Sequence, residues 1–515
     1  MKPTFWNMFP STLRNRSICS LNSLYRTLPV LVLLLSSGCA VGPDFKRPSP
    51  PKVDGFTSNP LPDQTASAEM AGGEAQRFRK NAEVPAQWWE LFHSPELNTL
   101  IEKALRANPN LKAVEAALRQ AKENVYAQQG VYYPSAQANF TPARQKIATE
   151  IQSPLNSQVT LFNVHTAQVS VSYSPDVFGL NQRQVESLQA QADFQRFQLE
   201  AANLTLTSNI VVAAIQEASL RAQIKATEEL VKLESEQLQL LHRQLELGAI
   251  AEAAVVAQEA TLAQTQATLP PLKKQLALQR DQLTVLSGDF PNNELSQRFE
   301  LSGMQLPLDL PVSLPSRLIE QRPDVRAAEE QLHSASAEIG VAEANRLPQF
   351  TLSAVDGFTG TSIAKLFSPA NNFWTLAGGV TQPIFNGGTL LHRKRAAEAV
   401  YDQVAAQYRA TVIGAFQNVA DTLRALEYDA DAMKATLVAE QATKQSLIIA
   451  EKQVDLGDIS YFALLATKQT YQQTVLNLVQ AQANRYSDTA ALFQALGGGW
   501  WNRTGTEERD ANVQP

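Results

Sequence analysis

Two periodicities alternate along the chain. After Trp88-Trp89, the residues Leu97, Leu100, Ile101, Ala104 and Leu105 recur at helical spacing behind a helix start at Ser94-Pro95-Glu96. Between Val159 and Tyr173 the period falls to two: Val169, Val171 and Tyr173 are apolar, and Gln168, Ser170 and Ser172 between them are polar. Phe350, Leu352 and Ala354 alternate in the same way with Gln349, Thr351 and Ser353, and partners near Ala136 to Phe140 and Trp374 to Thr381 bring the strand candidates to four. Helical spacing then returns over very long stretches. Thr389 to Leu456 holds no Pro and one Gly, and as a helix at 1.5 Å per residue it would extend ~100 Å. Within it Val412, Phe416, Val419, Leu423, Leu426, Ala430, Met433 and Leu437 step by four and three, a heptad seam that predicts packing against other helices. Ser187 to Leu247 is the matching helix of the first half, and Gly248 and Gly457 are placed to turn each helix back into an antiparallel hairpin. Pro270-Pro271 predicts a kink in the first return helix, because proline lacks the helical donor.

The two halves are copies. Leu100, Pro109, Ala113, Glu115, Leu118, Ala121 and Pro134 superpose on Leu314, Pro323, Ala327, Glu329, Leu332, Ala335 and Pro348. Further on, Gln244-Leu245-Glu246-Leu247-Gly248-Ala249-Ile250 matches Gln453-Val454-Asp455-Leu456-Gly457-Asp458-Ile459. Each copy reads as a helix, a strand pair, a long helix, a glycine turn and a return helix. The layout is a leader over 1–38, an extended arm over 39–86, a first repeat over 87–300, a second over 301–499, and a disordered tail over 500–515. The Pro-, Gly-, Ser- and Asn-rich arm is expected either to hug a surface or to act as a flexible tether.

Composition narrows the class. A 44% hydrophobic share over 515 residues supports a large core, and a net charge of -6 gives no reason to expect a nucleic-acid partner. Before Pro43 there is no acidic residue, and Lys2, Arg14, Arg16 and Arg26 precede the apolar run Leu28 to Leu35, the order of a secretory signal. Ser36-Ser37-Gly38-Cys39 then resembles a bacterial lipobox, which implies cleavage and lipid on Cys39, with Ala40 pointing to the outer membrane. No other run approaches the ~20 apolar residues of a membrane-spanning helix, so any bilayer crossing must be a closed β-barrel. Four strands enclose no interior. Three chains sharing one barrel would supply twelve.

Five segments in order carry a family resemblance: Cys39-Ala40-Val41-Gly42-Pro43-Asp44-Phe45-Lys46-Arg47-Pro48, Trp88-Trp89, Arg322-Pro323-Asp324-Val325-Arg326-Ala327-Ala328-Glu329, Pro383-Ile384-Phe385-Asn386-Gly387-Gly388 and Ala495-Leu496-Gly497-Gly498-Gly499-Trp500. With them the chain resembles the TolC-like outer-membrane factors, in their NodT-type lipoprotein branch. The fold implied is mainly α with a transmembrane β-barrel: a homotrimer whose shared 12-stranded barrel continues as a 12-helix periplasmic tunnel. The function implied is a passive export duct of a tripartite efflux pump, fed by an inner-membrane transporter of the RND type through a periplasmic adaptor. Members of this family close the duct at the hairpin tips with acidic rings and inter-helix hydrogen bonds. Here the motif's two Asp positions are Ala463 and Ala466, which leaves three candidates for the closure. Asp455 and Asp458, tripled about a threefold axis, would bring six carboxylates to the mouth; Tyr461 and Phe462 would instead make an apolar seal; or both acids are ordinary solvated loop residues.

Other chemistry finds little support. His93, His165, His242, His333 and His392 have no partner at metal-ligand spacing, no acid, base and nucleophile converge, and no cofactor beyond the lipid on Cys39 is expected. Glu234 to Gln239 and the cluster Arg393-Lys394-Arg395 read as solvated helix faces, the latter alternatively as a contact for anionic groups near the barrel rim. The competing class is a lipid-anchored coiled-coil scaffold, which would need no strands.

Overall fold

The computed structural model describes residues 40–148 and 161–503. The leader, the acylation candidate Cys39 and the tail from 504 onward lie outside the described residues. The arm leads to β1 (Arg77–Lys80) and a 3-10 turn at Trp88–Phe92. Helices α1 (Pro95–Ala107) and α2 (Pro109–Gln129) precede β2 (Ser135–Lys146), β3 (Leu161–Tyr173) and a helical hairpin of α3 (Leu180–Glu246) and α4 (Glu252–Leu286). The second half repeats the order with β4 (Asp309–Val312), α5 (Pro315–Gln321), α6 (Pro323–Ala344), β5 (Gln349–Gly360), β6 (Asn372–Thr381), α7 (Thr389–Leu456) and α8 (Tyr461–Ala495). Helix α4 is continuous through Pro270 and Pro271, both at exposed positions. Among the described residues no helix is long and apolar enough to cross a membrane.

By contact the chain forms two units, and each draws corresponding segments from both halves of the sequence. The first takes its described residues from 40–45, 123–189 and 333–401 and contains a four-stranded antiparallel sheet in the order β2-β3-β5-β6. Val169 pairs with Ala138 on one side and Asp356 on the other, and Asp356 pairs with Trp374. Among the described residues the outer edges of β2 and β6 have no partner strand. In this unit the arm is docked. Arg183, 5% exposed, donates from Nε to the Val41 carbonyl at 3.0 Å and from a terminal nitrogen to Asp44 at 2.7 Å, and Phe45 stacks on His333 at 4.4 Å.

The second unit takes 46–122, 190–332 and 402–503 and contains the main core. Trp88 is fully buried and stacks on Phe493 at 5.4 Å, with Phe92, Leu97, Leu100 and Ile101 packed around them. The heptad seam of α7 is buried at Val412, Val419, Leu423, Leu426, Ala430 and Met433, with Phe416 partly covered. A short parallel pair, β1 with β4, is a feature the sequence pattern did not reveal, since Arg77-Phe78-Arg79-Lys80 is too short and too charged to read as a strand. The arm is fixed here as well, around Arg485. This guanidinium is 1% exposed and donates to the carbonyls of Gly72 and Glu74, to Thr65 Oγ1 and to Gln76 Oε1, at 3.0 to 3.3 Å. Within each unit a segment of the arm is thus held by side-chain contacts, at 41–45 and at 65–76.

Residues 500–503, expected as tail, belong to the folded chain. Gly499 adopts φ +70°, where a Cβ would lie 2.4 Å from the Pro85 carbonyl oxygen, so the chain passes against the arm in a way that only glycine permits. Trp500–Asn502 then form a 3-10 turn, and Trp500 Nε1 donates to the Gln321 carbonyl at 2.7 Å.

Candidate functional site

The sheet has two chemically opposite faces. Register puts Ala138, Val169, Asp356 and Trp374 on one side with Val171, Ala354, Leu352, Leu376 and Val380, and most of the larger members of this set are exposed in the single chain. Aromatic residues mark its ends, Phe358, Phe367 and Trp374 toward one and Tyr173, Phe178 and Phe350 toward the other, the girdle arrangement of strands that cross a bilayer. The opposite face carries Gln137, Ser170, Ser353 and Thr375, and Thr166 and Thr359 share a hydrogen bond across it at 3.2 Å. An apolar face as wide as four strands needs lipid or protein against it, and two open edges need other strands. One chain cannot meet the second requirement.

The hairpin tips belong to the second unit and are built alike. Gly248, at φ +69°, donates its N–H to the Leu245 carbonyl while Ala249 donates to Gln244. Gly457, at φ +78°, donates to Val454 while Asp458 donates to Gln453, which terminates both long helices by the same left-handed closure. Ser460 then caps α8, accepting from the Ala463 N–H.

Behind the turns lies a buried polar joint that links the hairpins. Tyr461 Oη donates to Gln258 Oε1 at 2.5 Å, and Gln258 Nε2 donates to the Glu234 carbonyl at 2.9 Å. Thr265 donates to Glu234 Oε1 at 3.1 Å, and Lys468 Nζ donates to Gln237 Oε1 at 2.7 Å. Glu234 is 3% exposed, and among the described residues its Oε2 has no hydrogen-bond partner. Burial pushes the Glu234 carboxyl and the Tyr461 phenol up and pushes the Lys468 ammonium down, because each is removed from water in its charged form. Of the tip candidates, Tyr461 enters this joint, Phe462 is 57% exposed, and Asp455 and Asp458 are solvent-exposed.

Glu234 corrects the expectation of a solvated face over 234–239. The signal was present in the spacing: Leu220, Thr227, Glu234 and Leu241 fall seven residues apart and are all buried. Lys394 likewise is engaged, bonding Glu343 at 2.6 Å. Among the described residues no group of three or more His, Cys, Asp or Glu is placed to hold a metal ion.

A family model described as outer membrane efflux protein matches the chain in two blocks, residues 100–289 and 314–498. The chain belongs to the outer membrane efflux protein family. It is similar to the probable efflux pump outer membrane protein TtgC of Pseudomonas putida, at 28% identity over 494 residues, covering 95% of this chain and 98% of that protein. The pyoverdine export outer membrane protein OpmQ of the same species is 28% identical over 451 residues, covering 86% and 94%. Among solved structures, the outer-membrane channel OprN has a TM-score of 0.79 at 24% identity, covering 90% of this chain and all of that one. The Campylobacter jejuni CmeC channel has a TM-score of 0.80 at 21% identity, covering 92% and 98%.

The chain is therefore the outer-membrane channel of a tripartite efflux pump, mainly α with a transmembrane β-barrel, seated in the bacterial outer membrane and extending into the periplasm. Three copies close the barrel that one cannot, the apolar sheet face meeting lipid and the polar face lining the passage. The channel acts with a periplasmic adaptor and an inner-membrane transporter. Its relatives are ducts, not enzymes.

Proposed function

We propose that this channel rests closed at its periplasmic end, that the closure is the inter-hairpin joint around Tyr461 and not a carboxylate ring, and that it serves an RND-type transporter expelling small toxic compounds. The observation that carries the closure is the Tyr461–Gln258 bond, which ties the return helix of the second hairpin to that of the first. A joint of hydrogen bonds suits a part that must open, since bonds exchanged with water contribute only about 1 kcal/mol each. The cargo class is supported by the relatives' own names, which mention toluene, antibiotics and pyoverdine, all small molecules. The duct itself performs no covalent step.

Lipid on Cys39 belongs to the same reading. Its neighbour Ala40 lies against Gly179, where a Cβ would stand 2.5 Å from the Ala40 Cα, and Val41 donates to the Phe178 carbonyl at 3.1 Å, beside the aromatic end of the sheet. Acyl chains there would enter the leaflet next to the barrel. Mass spectrometry of the extracted protein tests this by the mass at Cys39, an unmodified thiol being the contrary result.

Single-channel recording in planar bilayers tests the closure. Tyr461→Phe combined with Gln258→Ala is expected to raise resting conductance several-fold, and Asp458→Ala is expected to leave it unchanged. A conductance that responds to Asp458→Ala and ignores the joint would reverse the assignment.

A further inference from the structure

The two faces of the sheet differ in charge in a direction that stability does not explain. A charge on the lipid side of a barrel strand is costly except near the interfaces, whereas a charge on the water side is tolerated. Yet the acidic, basic and histidine residues of β2, β3, β5 and β6, namely Arg144, Lys146, His165 and Asp356, all fall on the face that carries Val169 and Trp374. On the passage side every position of these four strands is a hydroxyl, an amide, a glycine or an apolar residue. Twenty-three positions are involved, running from Ser135 to Gln145, Phe162 to Ser172, Gln349 to Thr359 and Phe373 to Thr381 in steps of two. Threefold repetition would multiply even one acid or base into a ring, so a neutral wall is a definite electrostatic state and not a weak one.

We propose that the barrel section of the duct is a charge-blind passage. Its wall offers hydroxyl and amide groups that exchange hydrogen bonds with water and with cargo, and it lets small organic cations, anions and neutral compounds through without discriminating by charge. Any charge preference of the assembled duct is then imposed outside the barrel. This follows from strand register and holds whether or not the tip joint is the closure.

Paired thiol reagents of opposite charge read the wall potential locally. Ser353→Cys and Thr375→Cys place single thiols on the passage side, and Leu376→Cys places one on the lipid side; the unsubstituted chain sets the background from Cys19 and Cys39. Cationic and anionic methanethiosulfonates of similar size are applied to cells carrying the trimer, and each rate is divided by that for a small free thiol. Because the reagents differ by two unit charges, a wall potential of ~1 kT changes the ratio of their rates about sevenfold. At physiological salt the screening length is ~8 Å, so distant charges contribute little.

The expected ratio is within about threefold of the free thiol at both passage positions, with Leu376→Cys unreactive. Adding Thr375→Asp to Ser353→Cys should raise the cation-to-anion ratio at least about tenfold, because diagonal positions on adjacent strands lie ~7–8 Å apart. A ratio beyond about tenfold at Ser353→Cys or Thr375→Cys overturns the proposal. So does labelling of Leu376→Cys as fast as Thr375→Cys, or intact trimers in which neither passage thiol reacts, since the faces would then be assigned wrongly.

Discussion

The core around Trp88 and the joint behind the hairpin tips are both buried, and they are built from opposite materials. Around Trp88 the contacts are aromatic and aliphatic, and the buried guanidinium of Arg485 has four oxygen acceptors within hydrogen-bond reach. At the tips, Gln258, Thr261, Thr265, Glu234 and Lys468 take positions that heptad packing normally gives to aliphatic residues, and Glu234 keeps an oxygen without a partner. Apolar burial is non-directional and survives small displacements. A polar joint contributes little net stability and is lost as a unit once water enters. One region is made to stay and the other to let go.

The widest separation between them should appear in unfolding. Trp88→Ala removes a fully buried indole stacked on Phe493, and a loss of about 3–5 kcal/mol is expected, read as a fall in the melting temperature of the extracted protein. If Trp88→Ala and Tyr461→Phe lowered melting equally, the contrast would fail. Arg485→Ala comes next. It leaves the Gly72 and Glu74 carbonyls without their donor, with an expected cost of about 2–3 kcal/mol and new protease cleavage within residues 65–76, the segment this side chain holds. Cleavage elsewhere with that segment still protected would show that its attachment does not depend on Arg485.

Asp488 sharpens the comparison from within the core region. It lies beside Asp429, and burial, followed by that neighbour, pushes its carboxyl up to about 8, while Oδ2 has no partner. The folded state therefore holds a proton that the unfolded chain releases near its ordinary value. The stabilising contribution is complete below about 4 and is lost as pH rises through about 8. Asp488→Asn keeps the shape of the protonated acid and removes the titration. At pH 8 it is expected to stabilise by about 1 kcal/mol, with melting less dependent on pH between 4 and 8.

What the sequence revealed follows the strength of each pattern. Period two in β3 and β5 and the seam from Val412 to Met433 were visible because a single buried face repeats over many residues. Gly248 and Gly457 were visible because a left-handed helix end favours glycine. The β1–β4 pair was hidden because four residues, three of them basic, hold no periodic signal and pair only through a partner more than two hundred residues away. The tip joint was hidden for a different reason. Its members are polar, so Glu234 reads as surface until a second hairpin covers it, and only the seven-residue spacing through Thr227 and Leu241 marked the position. The resemblance directed attention to Asp458, whereas the structure joins the hairpins through Gln258, a residue no motif had singled out.

The smallest stability effect belongs to Glu234 and is the most direct probe of the joint. Burial raises its carboxyl above the ordinary 4.5, a direction opposed by the Thr265 hydroxyl and by the nearby Lys468 ammonium. A raised acid stabilises fully below its unfolded value and loses that contribution as pH rises through the folded value, so alkalinity should loosen the tips. Glu234→Gln retains an oxygen to accept from Thr265 and stays neutral at every pH. Its melting temperature should differ from the parent by the equivalent of less than about 1 kcal/mol, while the rise of resting conductance with pH expected of the parent should flatten. Lys468 titrates in the opposite sense, because burial lowers its pKa and the folded state gives up that proton early. Lys468→Met in the same recordings separates the two groups. If resting conductance instead falls as pH rises in the parent, and Lys468→Met abolishes that fall while Glu234→Gln does not, the ammonium is the group that governs the joint, and Glu234 serves only as a fixed acceptor.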